Sequence, residues 1–167
     1  MLRKCFKITA VAAALILVMA LAGCGGGTLK PPAMKEGATP VTVTGSCEIT
    51  IDGDTITVSG EMDILPDSLV CVSVESQSGI TLDSAVVTYK GEKISQQFKI
   101  TEDKYDESVV SVTGHITFSP RLYGTQPEKV YEKYGTRFEN IKPDGKNVLW
   151  DSNGNIVVFA SETVKLK

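Results

Sequence analysis

Cys47-Glu48-Ile49-Thr50-Ile51-Asp52-Gly53-Asp54-Thr55-Ile56-Thr57-Val58 decides the fold. Residues 47–51 alternate apolar and polar side chains, and residues 55–58 do so again. A period of two is that of a β-strand with one buried face. Asp52-Gly53-Asp54 between the runs is turn chemistry, because glycine reaches φ > 0 without steric cost. The stretch therefore predicts an antiparallel hairpin.

The same grammar continues outward. After Leu65-Pro66-Asp67, the run Leu69–Val74 is dense in β-branched residues, which favour a pleated, packed surface. Ala85–Tyr89 and Ile94–Ile100 flank Lys90-Gly91-Glu92 and predict a second hairpin. Val109–Phe118 predicts another strand, with Val110, Val112, Gly114, Ile116 and Phe118 in phase. Asn147–Trp150 and Asn155–Val164 flank Ser152-Asn153-Gly154, and Asn-Gly suits a turn whose central residues need φ > 0. Pairing across it sets Trp150 opposite Val157 and Val148 opposite Phe159, all four on the core face.

One helix interrupts the strands. Thr125-Gln126-Pro127-Glu128 has the form of a capping box with proline in the first turn. Val130 and Tyr134 share a face at i, i+4, and Gly135 is placed to end the helix. Seven or eight short strands with one crossover helix predict an all-β, antiparallel β-sandwich over residues 41–167. Its 127 residues suffice for a single core.

The chain opens differently. Arg3, Lys4 and Lys7 form a cationic start, and Ile8–Ala22 is a 15-residue apolar run. That is short of the roughly 20 residues a permanent bilayer-spanning helix needs, and fits an export signal. The run ends in Leu21-Ala22-Gly23-Cys24, which resembles the lipobox of bacterial lipoproteins. The resemblance implies a signal peptide, 1–23, removed before Cys24, and a covalent diacylglyceryl and acyl (palmitate-type) lipid on the Cys24 sulfur. Each buried methylene contributes about 0.8 kcal/mol, so two long chains hold a membrane far more firmly than a single myristoyl.

Residues 24–40 then read as the lipidated cysteine and a flexible linker, rich in Gly and Pro and without apolar periodicity. As a random coil, residues 25–40 span roughly 20–25 Å. The leader takes three of the 17 basic residues and none of the 20 acidic ones, so the mature chain carries a formal net charge of −6. An acidic domain has no electrostatic footprint for nucleic acid or for anionic lipid. Lipid is left as the means of attachment.

Val58-Ser59-Gly60-Glu61-Met62-Asp63-Ile64-Leu65-Pro66-Asp67 and the valine-rich strand after it form a second likeness. They resemble a "V-x-G-x-T-N-L-P-D-G-T-x-L" segment of bacterial envelope lipoproteins. Gln126-Pro127-Glu128-Lys129-Val130 is similar to the "Q-P-x-x-V" crossover of the same domains. The resemblance implies an immunoglobulin-like or transthyretin-like sandwich over most of 45–165, and no catalytic residues. Met62-Asp63-Ile64 and Ser68 depart from it, where Thr-Asn and Gly are usual.

Candidate chemistry is sparse. His115 is the one histidine, out of phase with its strand's apolar residues and so expected to face solvent or a neighbouring loop. A catalytic triad needs a base beside a nucleophile and a zinc site needs several N or S ligands, so neither is expected, and no metal. Cys47 and Cys71 belong to an oxidation-permissive compartment and leave a disulfide open, but Cys71 is out of phase with Val70, Val72 and Val74. Asp151-Ser152-Asn153-Gly154-Asn155 offers hard oxygens, with Glu162 at the twelfth position of an EF-hand count, but the run after it reads as strand. Glu102, Asp103, Asp106 and Glu107 cluster as a solvated loop surface. No phosphate-binding glycine loop occurs.

Arg121, Tyr123, Tyr131, Tyr134, Arg137 and Phe138 gather residue types that anchor interfaces and form the candidate interaction surface. The competing reading packs the aromatics as core beneath the crossover helix. The expected function is that of a membrane-anchored, extracytoplasmic lipoprotein, on an outer leaflet or periplasmic face, presenting a non-enzymatic binding module to an envelope protein or polysaccharide. The alternative is a small hydrolase of cell-wall sugars or peptides using paired acids.

Overall fold

The structure is a computed structural model, describing residues 32–121, 124–144, 146–150 and 155–166. The leader, Cys24, the first part of the linker, Tyr123 and the Ser152-Asn153-Gly154 turn lie outside the described residues. Eight strands and one helix run in the order β1 (Glu48–Asp52), β2 (Thr55–Gly60), β3 (Leu69–Ser76), β4 (Thr81–Thr88), β5 (Ile94–Lys99), β6 (Ser111–Phe118), α1 (Glu128–Tyr134), β7 (Val148–Trp150) and β8 (Ile156–Lys165). They form an antiparallel β-sandwich of a three-stranded sheet, β1-β2-β5, and a five-stranded sheet, β4-β3-β6-β8-β7.

The opening stretch forms the hairpin its alternation predicts. Ile51 pairs with Ile56 and Asp52 with Thr55, leaving Gly53 and Asp54 as a two-residue loop. Gly53 takes φ 57°, as a type II′ turn requires of its first central residue. Ile49, Ile56 and Val58 face inward against Val70, Val72, Val74, Val112, Ile116 and Phe118 of the larger sheet, and all are buried. Two glycines set how closely the layers approach. A Cβ on Gly114 would lie 3.0 Å and 3.2 Å from the Val58 methyls, and one on Gly60 would lie 2.8 Å from Ile116 Cδ1 across the layers and 2.0 Å from the Ser46 carbonyl oxygen beside it.

Leu65-Pro66-Asp67-Ser68 turns the chain from β2 into β3. Asp67 sits at φ 68° and Ser68 donates its N–H to the Leu65 carbonyl at 3.3 Å. Proline second and a left-handed residue third is the type II pattern. The Asp67 carboxylate joins Lys90 at 3.2 Å and Lys129 at 2.6 Å, tying this turn to the β4–β5 connection and to α1.

Four expectations are corrected. Lys90-Gly91-Glu92 does not close a hairpin: β4 pairs with β3 and β5 with β2, so the segment carries the chain from one sheet to the other. The pairing of β7 with β8 is displaced by one residue, with Trp150 opposite Ile156 and Val148 opposite Val158. Phe159 accordingly is only half-buried. Val110 is 51 % exposed and Val109 takes the inward place, because the alternation breaks before β6 begins. The capping box does not form: Pro127 is the N-cap residue, without a side-chain cap. Gly135 does end the helix, at φ 86°.

The segment before β1 is tied down from Val41 onward. Val41 donates its N–H to the Asn140 carbonyl at 2.7 Å and accepts from the Lys142 N–H at 2.9 Å. Ser46 N–H reaches the Glu61 carbonyl at 2.8 Å, and Asp63 N–H the Thr44 carbonyl at 2.9 Å. Residues 44–46 thus lie beside 61–63 beyond the end of the small sheet.

Candidate functional site

Past its last pair, Gly60 with Ile94, the small sheet splays. The paired residues 44–46 and 61–63, with Tyr89, Gly91, Glu92 and Lys93, line an open groove of about 550 Å³. Met62 is buried as its floor, 3.3 Å from where a Cβ on Gly45 would stand. Gly60, by lacking a side chain, lets the Ser46 backbone cross directly beside β2 and so form one wall. Ser46 Oγ accepts the Glu61 N–H at 3.1 Å, fixing that wall to the next segment.

Strand alternation around buried Met62 turns Glu61 and Asp63 outward together. Glu92 joins them on the rim, giving three carboxylates. The one ammonium of the groove, Lys93, is directed to Glu48 of β1 at 2.8 Å. That contact holds Glu48 below the usual carboxylate range and Lys93 above the usual amine range. The groove is therefore negative.

Tyr89 is the residue by which the core meets this groove. Tyr89 is 8 % exposed and lines the groove. Its backbone is held on both sides: Tyr89 N–H donates to Ser68 O at 2.8 Å, and Tyr89 O accepts from Asp67 N–H at 2.6 Å. Burial raises the phenol's pKa, and the nearby Glu61 and Asp63 charges raise it further. The hydroxyl stays protonated, able to donate to an incoming group or to accept from it.

The candidate interaction surface of the crossover region is dispersed. Tyr134 and Phe138 are fully buried and stack with Phe118, at ring-centroid distances of 5.3 Å and 4.4 Å. They are core, as the competing reading has it, and not part of an interaction surface. Tyr131 is half-buried, its hydroxyl donating to the Pro120 carbonyl at 2.8 Å. Arg121 and Arg137 are exposed. Tyr123 lies outside the described residues. Gln126, unremarked as a site residue, clamps the region: it accepts from Leu69 N–H and donates to the carbonyls of Leu69 and Ser119, each at 2.8 Å.

Cys47 and Cys71 are not joined. The Cys47 thiol donates to the Gly114 carbonyl at 3.4 Å, and burial, with Glu162 second, pushes it up to about 12. Cys71 is buried at 1 % exposure on the other face of β3, opposite Val86 and Thr117. His115 is sheltered rather than open to solvent, its side chain 14 % exposed and 3.4 Å from Glu75 on the neighbouring strand. Among the described residues no group of three His, Cys, Asp or Glu is arranged to hold a metal ion.

The groove escaped sequence reading because its walls come from three separated segments. Only the outward pairing of Glu61 and Asp63 around Met62 is a local signal. No protein-family model, curated protein or solved structure matches this chain.

Proposed function

We propose that this chain is a cell-envelope lipoprotein, anchored by lipid on Cys24, whose β-sandwich is a binding module that contacts an envelope component through the groove. The leader and Leu21-Ala22-Gly23-Cys24 support the anchoring. Among the described residues no helix is long and apolar enough to cross a membrane, so attachment in this reading rests on that N-terminal lipid. The strand order supports an immunoglobulin-like sandwich, with β5 crossing to β2 before β6 returns to β3. Such frames hold binding segments on rigid edges.

The observation that carries the binding half is the groove itself. It is open and bears Glu61, Asp63 and Glu92 against one lysine, Lys93, which is paired with Glu48. The test is a photo-crosslinking residue placed at Thr44 on the groove rim or at Thr163 on the far face of the large sheet, in intact cells. The expected result is a specific adduct from position 44 alone. Adducts at neither position, or the same adducts at both, would overturn the groove as the contact site. For the anchor, Cys24→Ser should abolish incorporation of labelled palmitate; a labelled product would refute the lipobox assignment.

A further inference from the structure

We infer that the groove and the free edge of β5 together bind an extended, basic polypeptide segment, which adds a strand to the small sheet and sets a lysine or arginine among Glu61, Asp63 and Glu92. This deepens the binding-module reading and rests on it.

The backbone argument comes first. β5 is the last strand of its sheet, and among the described residues nothing pairs with its far side. A bare edge exposes a row of N–H and C=O groups and is ordinarily guarded by charge, proline or a bulge. Here the flanking lysines are engaged elsewhere: Lys93 with Glu48 at 2.8 Å, and Lys99 with Asp54 at 2.8 Å. Ser95, Gln96 and Gln97 between them are uncharged. Six residues of such an edge offer roughly 20 Å of strand spacing, which a polypeptide backbone matches and a sugar chain does not.

Charge supplies the rest. Gly91, Glu92 and Lys93 line the groove and lead directly into Ile94, so the groove adjoins the start of the β5 edge. Tyr89, a residue 8 % exposed, lines the groove beside them, and its hydroxyl can accept a further donor. A cationic donor satisfies that oxygen and the carboxylates at once, as charge-assisted hydrogen bonds do.

The test uses the full chain in detergent micelles with two labelled hexapeptides, one alternating lysine and valine and one alternating glutamate and valine. Anisotropy should show saturable binding of the lysine peptide only. Glu61→Gln combined with Asp63→Asn should weaken it about tenfold or more, the scale of one lost charge contact. Tyr89→Phe, which keeps the ring, should weaken it about threefold, the scale of part of a neutral hydrogen bond. Amide exchange should slow over residues 94–99 and not over 81–88. No saturable binding, indifference to the Glu61/Asp63 change, or protection at β4 instead would overturn the inference. So would capture of a glucosamine oligomer in place of the peptide. If these fail while crosslinks stay confined to Thr44, the binding module stands and only its basic ligand is lost.

Discussion

The side-chain carboxylate of Glu162 in β8 accepts the backbone N–H of Ile49 in β1 at 2.8 Å, so an acid of one sheet satisfies the edge strand of the other. Glu162 lies opposite Gly114 in register, where the missing side chain leaves room beside it. The Cys47 thiol donates to the same Gly114's carbonyl. Residues of three strands thereby close the β1 side of the sandwich without a disulfide.

Removing that acceptor leaves a buried N–H unpaired. Glu162→Ala should destabilise the domain by about 1–3 kcal/mol, the range for an orphaned buried donor, toward the lower end because the site is only partly covered. Glu162→Gln keeps an oxygen in place and should cost less. Urea unfolding midpoints of the two variants check the order; no loss in Glu162→Ala would mean that the contact contributes nothing.

Alkaline pH should weaken the fold through Cys47. Its folded pKa is raised from 9.0 to about 12, so the thiol is neutral in both states below pH 9 and the contribution there is complete. Between pH 9 and 12 the unfolded chain loses its proton first, and stability falls as pH rises. Tyr105, pushed up to about 12 by burial and then by Asp83, acts in the same direction above pH 10. Unfolding midpoints at pH 7, 9 and 10.5 should drop for the native chain and drop less for Cys47→Ser. An identical drop in both would place the alkaline sensitivity elsewhere.

The two close-approach glycines should respond unequally. An added Cβ on Gly60 meets the backbone oxygen of Ser46 at 2.0 Å, and backbone cannot swing aside. On Gly114 it meets the methyls of Val58 at 3.0 Å and 3.2 Å, which can give by a few tenths of an ångström. Overpacking costs typically about 1–3 kcal/mol, and Gly60→Ala should lie at or beyond the top of that range. Gly114→Ala should lie near the bottom. Gly60→Ala should also displace residues 44–46 and distort the groove, which amide exchange at Ser46 and Glu61 would register.

How far the fold could be read from the chain varies with the kind of information. The β1–β2 hairpin was legible because both its strands and its turn are local. So was the inward row Val70, Val72, Val74. β4 was read only from Ala85 because Leu82-Asp83-Ser84 breaks the alternation on an edge strand, where neither face is fully covered. Lys90-Gly91-Glu92 misled because a glycine turn serves a change of sheet as well as a hairpin. The β7–β8 register failed by one residue because turn chemistry alone set it. The groove was illegible for a different reason: Ser46, Glu61 and Tyr89 meet through the sandwich's tertiary splay, which no periodicity encodes.

Tyr134 gives the sharpest separation of packing from hydrogen bonding. Its ring is fully buried against Phe118, edge-on at 5.3 Å, and against Phe138 at 5.7 Å. Its hydroxyl oxygen accepts the Leu65 N–H at 3.0 Å, joining α1 to the turn that leads into β3. Tyr134→Phe preserves the ring contacts and orphans only that donor, and should cost about 1–2 kcal/mol. Tyr134→Ala removes both and should cost about 3–5 kcal/mol. If the phenylalanine variant lost as much as the alanine one, the helix would be held by its single hydrogen bond to Leu65. If it lost nothing, the Leu65 hydrogen bond would add nothing to the packing of the helix against the sandwich. Guanidinium unfolding of the two variants beside the native chain decides between these outcomes.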